Sequence, residues 1–148
     1  MQVLRNDSLS RALHNALYER MVSFSELYTP EFPAVPVVRD WLNRFYSGDT
    51  NIAFVVDLDD DFKLIAHAVI LINEAYGYKV IMVPQLQDDT KQGKFIAETV
   101  EYVDKLLEET NSFCSEILVT KNVKVYEKKF GYKAVRTVML KYNSEVKS

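Results

Sequence analysis

The sequence predicts an α/β protein in which a mixed, mostly antiparallel central sheet is flanked by about four helices. Three observations predict it. Two one-sided helical patterns open the chain and end near Gly48. Three closely spaced extended runs follow between Ile52 and Val83. A long amphipathic helix then separates these from a further extended run, and that connection requires a crossover and at least one parallel pairing. With 148 residues, 48% of them hydrophobic, the chain is expected to form one domain over residues 1–148 with a proper core.

Each element has a local reason. After a short possible strand at Gln2 to Leu4, Asp7 or Ser8 is placed to cap a helix carrying Leu9, Leu13, Ala16, Leu17, Met21 and Phe24 at helical spacing. Pro30, Pro33 and Pro36 make the next segment a stiff connector. Pro36 also suits the first turn of a second helix, whose apolar side holds Val37, Val38, Trp41, Leu42 and Phe45. Ile52 to Val56 reads as a strand and Asp57 to Asp61 as an acidic turn. Lys63 to Ile72 is apolar on both parities and is placed at the sheet centre. Glu74 to Gly77 reads as a turn, and Tyr78 to Val83 as the third strand of a meander, ended by Pro84. Beyond a polar loop a helix opens around Gly93, with Ile96, Val100, Val103 and Leu107 in one stripe. Ser115 to Thr120 reads as a short strand, Lys121 to Phe130 as a short helix stopped by Gly131, and Tyr132 to Tyr142 as a last strand.

Composition excludes several classes of function. The formal charge is −3 with 4 glycines and 4 prolines, which argues against a disordered tail protein and gives no general reason to expect nucleic-acid binding. A single cysteine, Cys114, forms no internal disulfide, and no Cys/His cluster offers a metal site. The longest apolar run, Leu64 to Ile72, is too short to cross a bilayer, and no secretory leader pattern opens the chain. A cytoplasmic, reducing setting without membrane attachment is therefore expected. The acidic turn lacks calcium-loop spacing and is read as a solvated hairpin tip.

Three strings carry a resemblance. IAFVVDLDDDFKLIAHAVI forms a strand, an acidic turn and a strand; VPQLQDDTKQGKFIAETVEYV a strand end, a loop and a helix; NVKVYEKKFGYKAVRTVMLKY a helix, a glycine turn and a strand. In this order they resemble the GNAT acyltransferase superfamily, over roughly Val3 to Tyr142. The resemblance implies a GNAT-like fold and transfer of an acetyl group from acetyl-CoA to a small-molecule or protein amine. It also implies that the loop before the long helix directs backbone N–H groups at the CoA pyrophosphate. On this register Gln92 takes the family's amide position, Phe95 its central glycine and Ala97 its last small residue. Gly93 and Lys94 lie in the same loop, and Val83 ends the strand that would border the donor. Tyr126 is the candidate acid for the leaving thiolate, one residue before the family's tyrosine position, which Glu127 occupies here.

Glu74, near the end of the central strand, is either a general base facing the splayed strands or a solvated turn glutamate. His67 is either a satisfied core histidine or a base. Cys114 is an inert thiol or a nucleophile with no visible partner. The basic residues Lys121, Lys124, Lys128, Lys129, Lys133, Arg136 and Lys141 form a solvated face or a patch for an acidic group. A second function class stays open. Phe95 and Glu127 depart from the family pattern, and Asp88 and Asp89 add negative charge beside the loop. These departures suit a fold that has lost its chemistry and serves as a structural or interaction component with protein partners, for example in a phage virion.

Overall fold

Alternation along the strands decides which side of the sheet each helix covers. The computed structural model describes residues 1–5, 9–90, 92–136 and 138–143, and the chain divides into two compact units, Met1–Leu118 and Val119–Ser148. The first unit holds β1 (Gln2–Leu4), α1 (Arg11–Tyr28), α2 (Ala34–Tyr46), β2 (Ile52–Leu58), β3 (Leu64–Ala75), β4 (Tyr78–Asp88), α3 (Lys94–Glu109) and β5 (Cys114–Ile117). Its sheet has the order β1-β2-β3-β4-β5. The first three pairings are antiparallel, and β5 runs parallel to β4. The second unit holds α4 (Val123–Phe130). A mixed, mostly antiparallel sheet with four helices is thus what the described residues form.

On one face of the sheet Ile52, Phe54, Val56, Val69 and Leu71 pack against Leu17 and Met21 of α1 and Val38, Trp41, Leu42 and Phe45 of α2. The Phe45 and Phe54 rings lie 4.9 Å apart. The opposite parity, Ala53, Val55, Ala66, Ala68 and Ile70, is also buried. Asp57, on that parity, meets the Met1 ammonium at 3.5 Å, and the same ammonium lies 3.7 Å from Glu98 of α3. α3 therefore covers this second face, burying Phe95, Thr99, Val100, Val103 and Leu106. Both faces being covered explains why the central strand is apolar on both parities.

The structure corrects four boundaries. α1 is capped by Ser10, whose Oγ accepts from the Leu13 N–H at 3.1 Å; the expected caps Asp7 and Ser8 lie outside the described residues. β3 runs on to Ala75, so Glu74 is in a strand, opposite Lys79, and not in a turn. β4 runs through Pro84 to Asp88 instead of stopping at Val83. Proline is tolerated there because it sits at a bulge and leaves no N–H unpaired. Finally, residues 132–136 and 138–143 form no strand. Within this segment Val138 and Met139 are 72% and 90% exposed, where a central strand would bury alternate side chains.

Candidate active site

The site begins with one extra residue. Leu71 pairs with Met82 but Val69 pairs with Gln85, so Val83 and Pro84 together oppose Ile70. Such a bulge bends and twists its strand. The other edge of β4 shows the consequence. Its register with β5 ends at Val83 and Ile117, closed by the Leu118 N–H on the Val83 carbonyl at 3.1 Å. From Pro84 to Asp88, β4 keeps β3 as its partner and has no strand on its other edge among the described residues. Two strands that are parallel neighbours up to Val83 are no longer paired beyond it.

The chain leaves this opening through a short loop and enters α3. Asp88 Oδ1 accepts from the Thr90 N–H at 2.9 Å and from the Thr90 hydroxyl at 2.7 Å, and the Gln92 N–H reaches Thr90 Oγ1 at 3.4 Å. Gly93 then takes φ 76°, a left-handed conformation that glycine adopts without strain. It is the N-cap and, being glycine, supplies no side chain to cap the helix. The first intrahelical bond runs from the Ala97 N–H to the Gly93 carbonyl at 3.0 Å. The N–H groups of Lys94, Phe95 and Ile96 thus form the open positive end of the helix.

Phe95 stands where the resemblance implies a glycine. Its side chain is 2% exposed and belongs to the α3 face that covers the sheet. Gln92, Gly93, Lys94 and Ala97 are exposed around it. The phenylalanine thus occupies the core and not the space in front of the helix end. Ala97 contributes a small side chain but no free N–H.

The aspartates are managed differently from one another. Asp89 Oδ2 takes a hydrogen bond from Arg20 Nη1 at 2.7 Å. Asp88 Oδ2 is buried with no hydrogen-bond partner among the described residues. Arg20 reaches down from α1 into a buried polar chain. Its Nε donates to His67 Nδ1 at 2.8 Å, His67 Nε2 meets Gln85 Oε1 at 2.8 Å, and the Gln85 amide donates to Ser25 Oγ at 2.9 Å and to the Met21 carbonyl at 3.1 Å. His67 is fully buried. Burial lowers its pKa to about 4, against the raising effect of the Gln85 hydrogen bond and with a smaller lowering by Arg20. It is a satisfied core histidine, and its ring packs edge-on against Phe24 at 5.9 Å.

Val83 thus lies at the bulge within β4, and Gln92, Gly93, Lys94, Phe95 and Ala97 lie at the start of α3 and the loop before it. Glu74 is not with them. β3 runs antiparallel to β4, so the end of β3 that carries Glu74 lies beside the beginning of β4, at Lys79. The bulge is four residues further along β4, about 13 Å away at strand rise. Glu74 is exposed there and does not face the parted strands. Tyr126 lies in α4 of the second unit, where its ring contacts Phe130 at 5.8 Å and Tyr132 at 6.4 Å. Burial, and then Tyr132, raise its pKa, so the phenol is protonated at neutral pH. Arg20 and Gln85 went unnoticed in the sequence. The signal was an arginine on the apolar side of α1, between Leu17 and Phe24, together with two polar residues on strands that are otherwise apolar.

Among the described residues no helix is long and apolar enough to cross a membrane, and no group of three metal-ligating side chains occurs. No protein-family model matches the sequence, and no curated protein is similar to it. Solved structures do match. A probable acetyltransferase superposes with a TM-score of 0.66 at 13% identity, over 97% of this chain and 99% of its own. A predicted acetyltransferase with acetyl-CoA from Clostridium acetobutylicum gives 0.61 at 17% identity, over 85% and 89%. A transcriptional regulator from Bacillus halodurans gives 0.65 at 10% identity, over 96% and 99%. This chain has the GNAT fold.

Proposed function

We propose that the protein is an N-acyltransferase that moves an acetyl group from acetyl-CoA to an amine. One observation carries the reading: β4, which beyond Val83 has no strand on its other edge among the described residues, runs on through a short loop to the N-terminus of α3, whose bulky residue, Phe95, is turned into the core. A diphosphate suits that end because the N–H groups of Lys94, Phe95 and Ile96 and the helix dipole favour an anion. Gln92 and Lys94 are the exposed side chains beside it, and Gly93 and Ala97 keep the approach free of bulk. The backbone edge after Val83 is the place for the acyl end of the donor, where strand N–H groups can polarise a carbonyl.

Acetyl-CoA supplies an activated acyl group as a thioester. In the transfer a C–N bond forms to the amine as the C–S bond breaks; the thiolate gains a proton and the amine loses one. We assign the donated proton to Tyr126 on the GNAT resemblance. Glu74 has no part in the reading. The protein acts in the cytoplasm, and its acceptor is a small-molecule or protein amine. Transfer of a labelled acetyl group across a panel of amines tests this, with Tyr126→Phe expected to lower kcat at least about tenfold while leaving the KM for acetyl-CoA within about twofold.

A second reading keeps the fold without the chemistry, as a structural or interaction component such as a virion protein. It is supported by Glu127 at the family's tyrosine position and by the use of this fold in a protein described as a transcriptional regulator. On that reading acetyl-CoA does not bind saturably.

A further inference from the structure

The start of the donor loop carries two carboxylates, and only one of them is met by Arg20. Asp88 holds Thr90 through one oxygen, while its other oxygen is buried without a hydrogen-bond partner among the described residues. Asp89 lies four residues before Gly93, with its side chain about half exposed, and pairs with Arg20 at 2.7 Å. Arg20 itself is 14% exposed. Nε donates to His67 Nδ1, and Nη2 reaches the carbonyls of Ile65 and Gln87 at 3.3 and 3.4 Å. A guanidinium can make this fork of bonds and a lysine cannot. The contacts join α1 to both strands at the point where β4 ends.

We infer that Arg20 is a positioning residue for the donor. It neutralises Asp89 and ties the end of β4 to α1, so that an anionic ligand at the α3 N-terminus meets a loop whose second carboxylate is cancelled. The inference rests on the acetyl-CoA reading above. Its basis is electrostatic. Asp89 lies four residues before Gly93, so at low salt, where the Debye length is about 30 Å, its uncancelled charge acts against a ligand that carries several negative charges.

Titration calorimetry with acetyl-CoA at low salt tests it on the full chain. Arg20→Gln is expected to weaken binding about three- to tenfold, and Asp89→Asn to tighten it by a similar factor. The double variant is expected to return to within about twofold of wild type, because the local charge is restored. A double variant as weak as Arg20→Gln overturns the inference, since the loss is then one of packing. If Arg20→Gln does not fold, the exposed Asp89→Asn decides alone: tighter binding supports the inference, and unchanged or weaker binding overturns it. Wild-type protein that shows no saturable binding overturns the acetyl-CoA reading and this inference with it. Wild-type binding with unaltered single variants overturns the inference alone.

Discussion

His67 accepts a hydrogen bond on Nδ1 from Arg20 Nε at 2.8 Å. Because a guanidinium only donates, the proton of the neutral imidazole must sit on Nε2, where Gln85 Oε1 accepts it at 2.8 Å. That orientation leaves the Gln85 amide to donate to Ser25 and to the Met21 carbonyl. One choice of tautomer satisfies every member, and the chain docks α1 onto β3 and β4 in a single register.

The first prediction concerns acid. His67 has its pKa lowered to about 4, mainly by burial, against an ordinary 6.5. The unfolded chain takes up the proton below 6.5, whereas the folded chain resists until about 4. The stability tied to this residue is thus complete above pH 6.5 and is lost as the pH falls to 4. The loss across that window is about 3 kcal/mol. Urea denaturation at pH 7 and 4.5 measures it, and His67→Gln is expected to remove most of the difference. An equal pH dependence in that variant contradicts the assignment.

Gln85→Leu is expected to destabilise the protein by about 2–4 kcal/mol, because it strands the His67 Nε2–H and removes the donor to Ser25 and Met21. The shift is read as a lower urea midpoint at pH 7. A change under about 0.5 kcal/mol would show that water substitutes freely there.

Phe95→Ala is expected to cost about 3–5 kcal/mol by emptying core volume under α3. The same variant is expected to keep acetyl-CoA binding in its folded fraction, since the ring does not line the helix end. Loss of binding with unchanged stability would place the ring in the site instead.

At Gly93 a Cβ would meet nothing within 4 Å, so substitution there costs backbone conformation alone. Gly93→Ala, held at φ 76°, is expected to lose about 1–2 kcal/mol, and Gly93→Asn less, because asparagine tolerates the left-handed region better. Thermal denaturation of the pair distinguishes this from a steric cause, which would rank asparagine as the worse.

Much of the fold was legible because periodicity reports burial directly. The stripes of α1, α2 and α3 and the two-faced apolar run of β3 follow from which surfaces must leave water. Pro84 misled because a proline ends an ordinary central strand but is tolerated at a bulge, and the bulge is a property of the pairing between β3 and β4, invisible in either strand alone. Glu74 misled for a related reason: strand direction, not residue type, determines which end of β3 adjoins the opening. The segment after Gly131 has the alternation of a strand, yet alternation specifies only what a partner would accept, and its described residues lie in no strand. In the site, Gln92, Gly93 and Ala97 were readable from one short string. Arg20, His67 and Gln85 come from three elements far apart in sequence, and only the fold brings their atoms within hydrogen-bond reach.

Titration calorimetry of the wild-type protein with acetyl-CoA tests the central claim most directly. Saturable one-to-one binding, weakened by rising salt as expected for a diphosphate held by a helix end and a lysine, is the predicted result. No saturable heat up to millimolar ligand would contradict it.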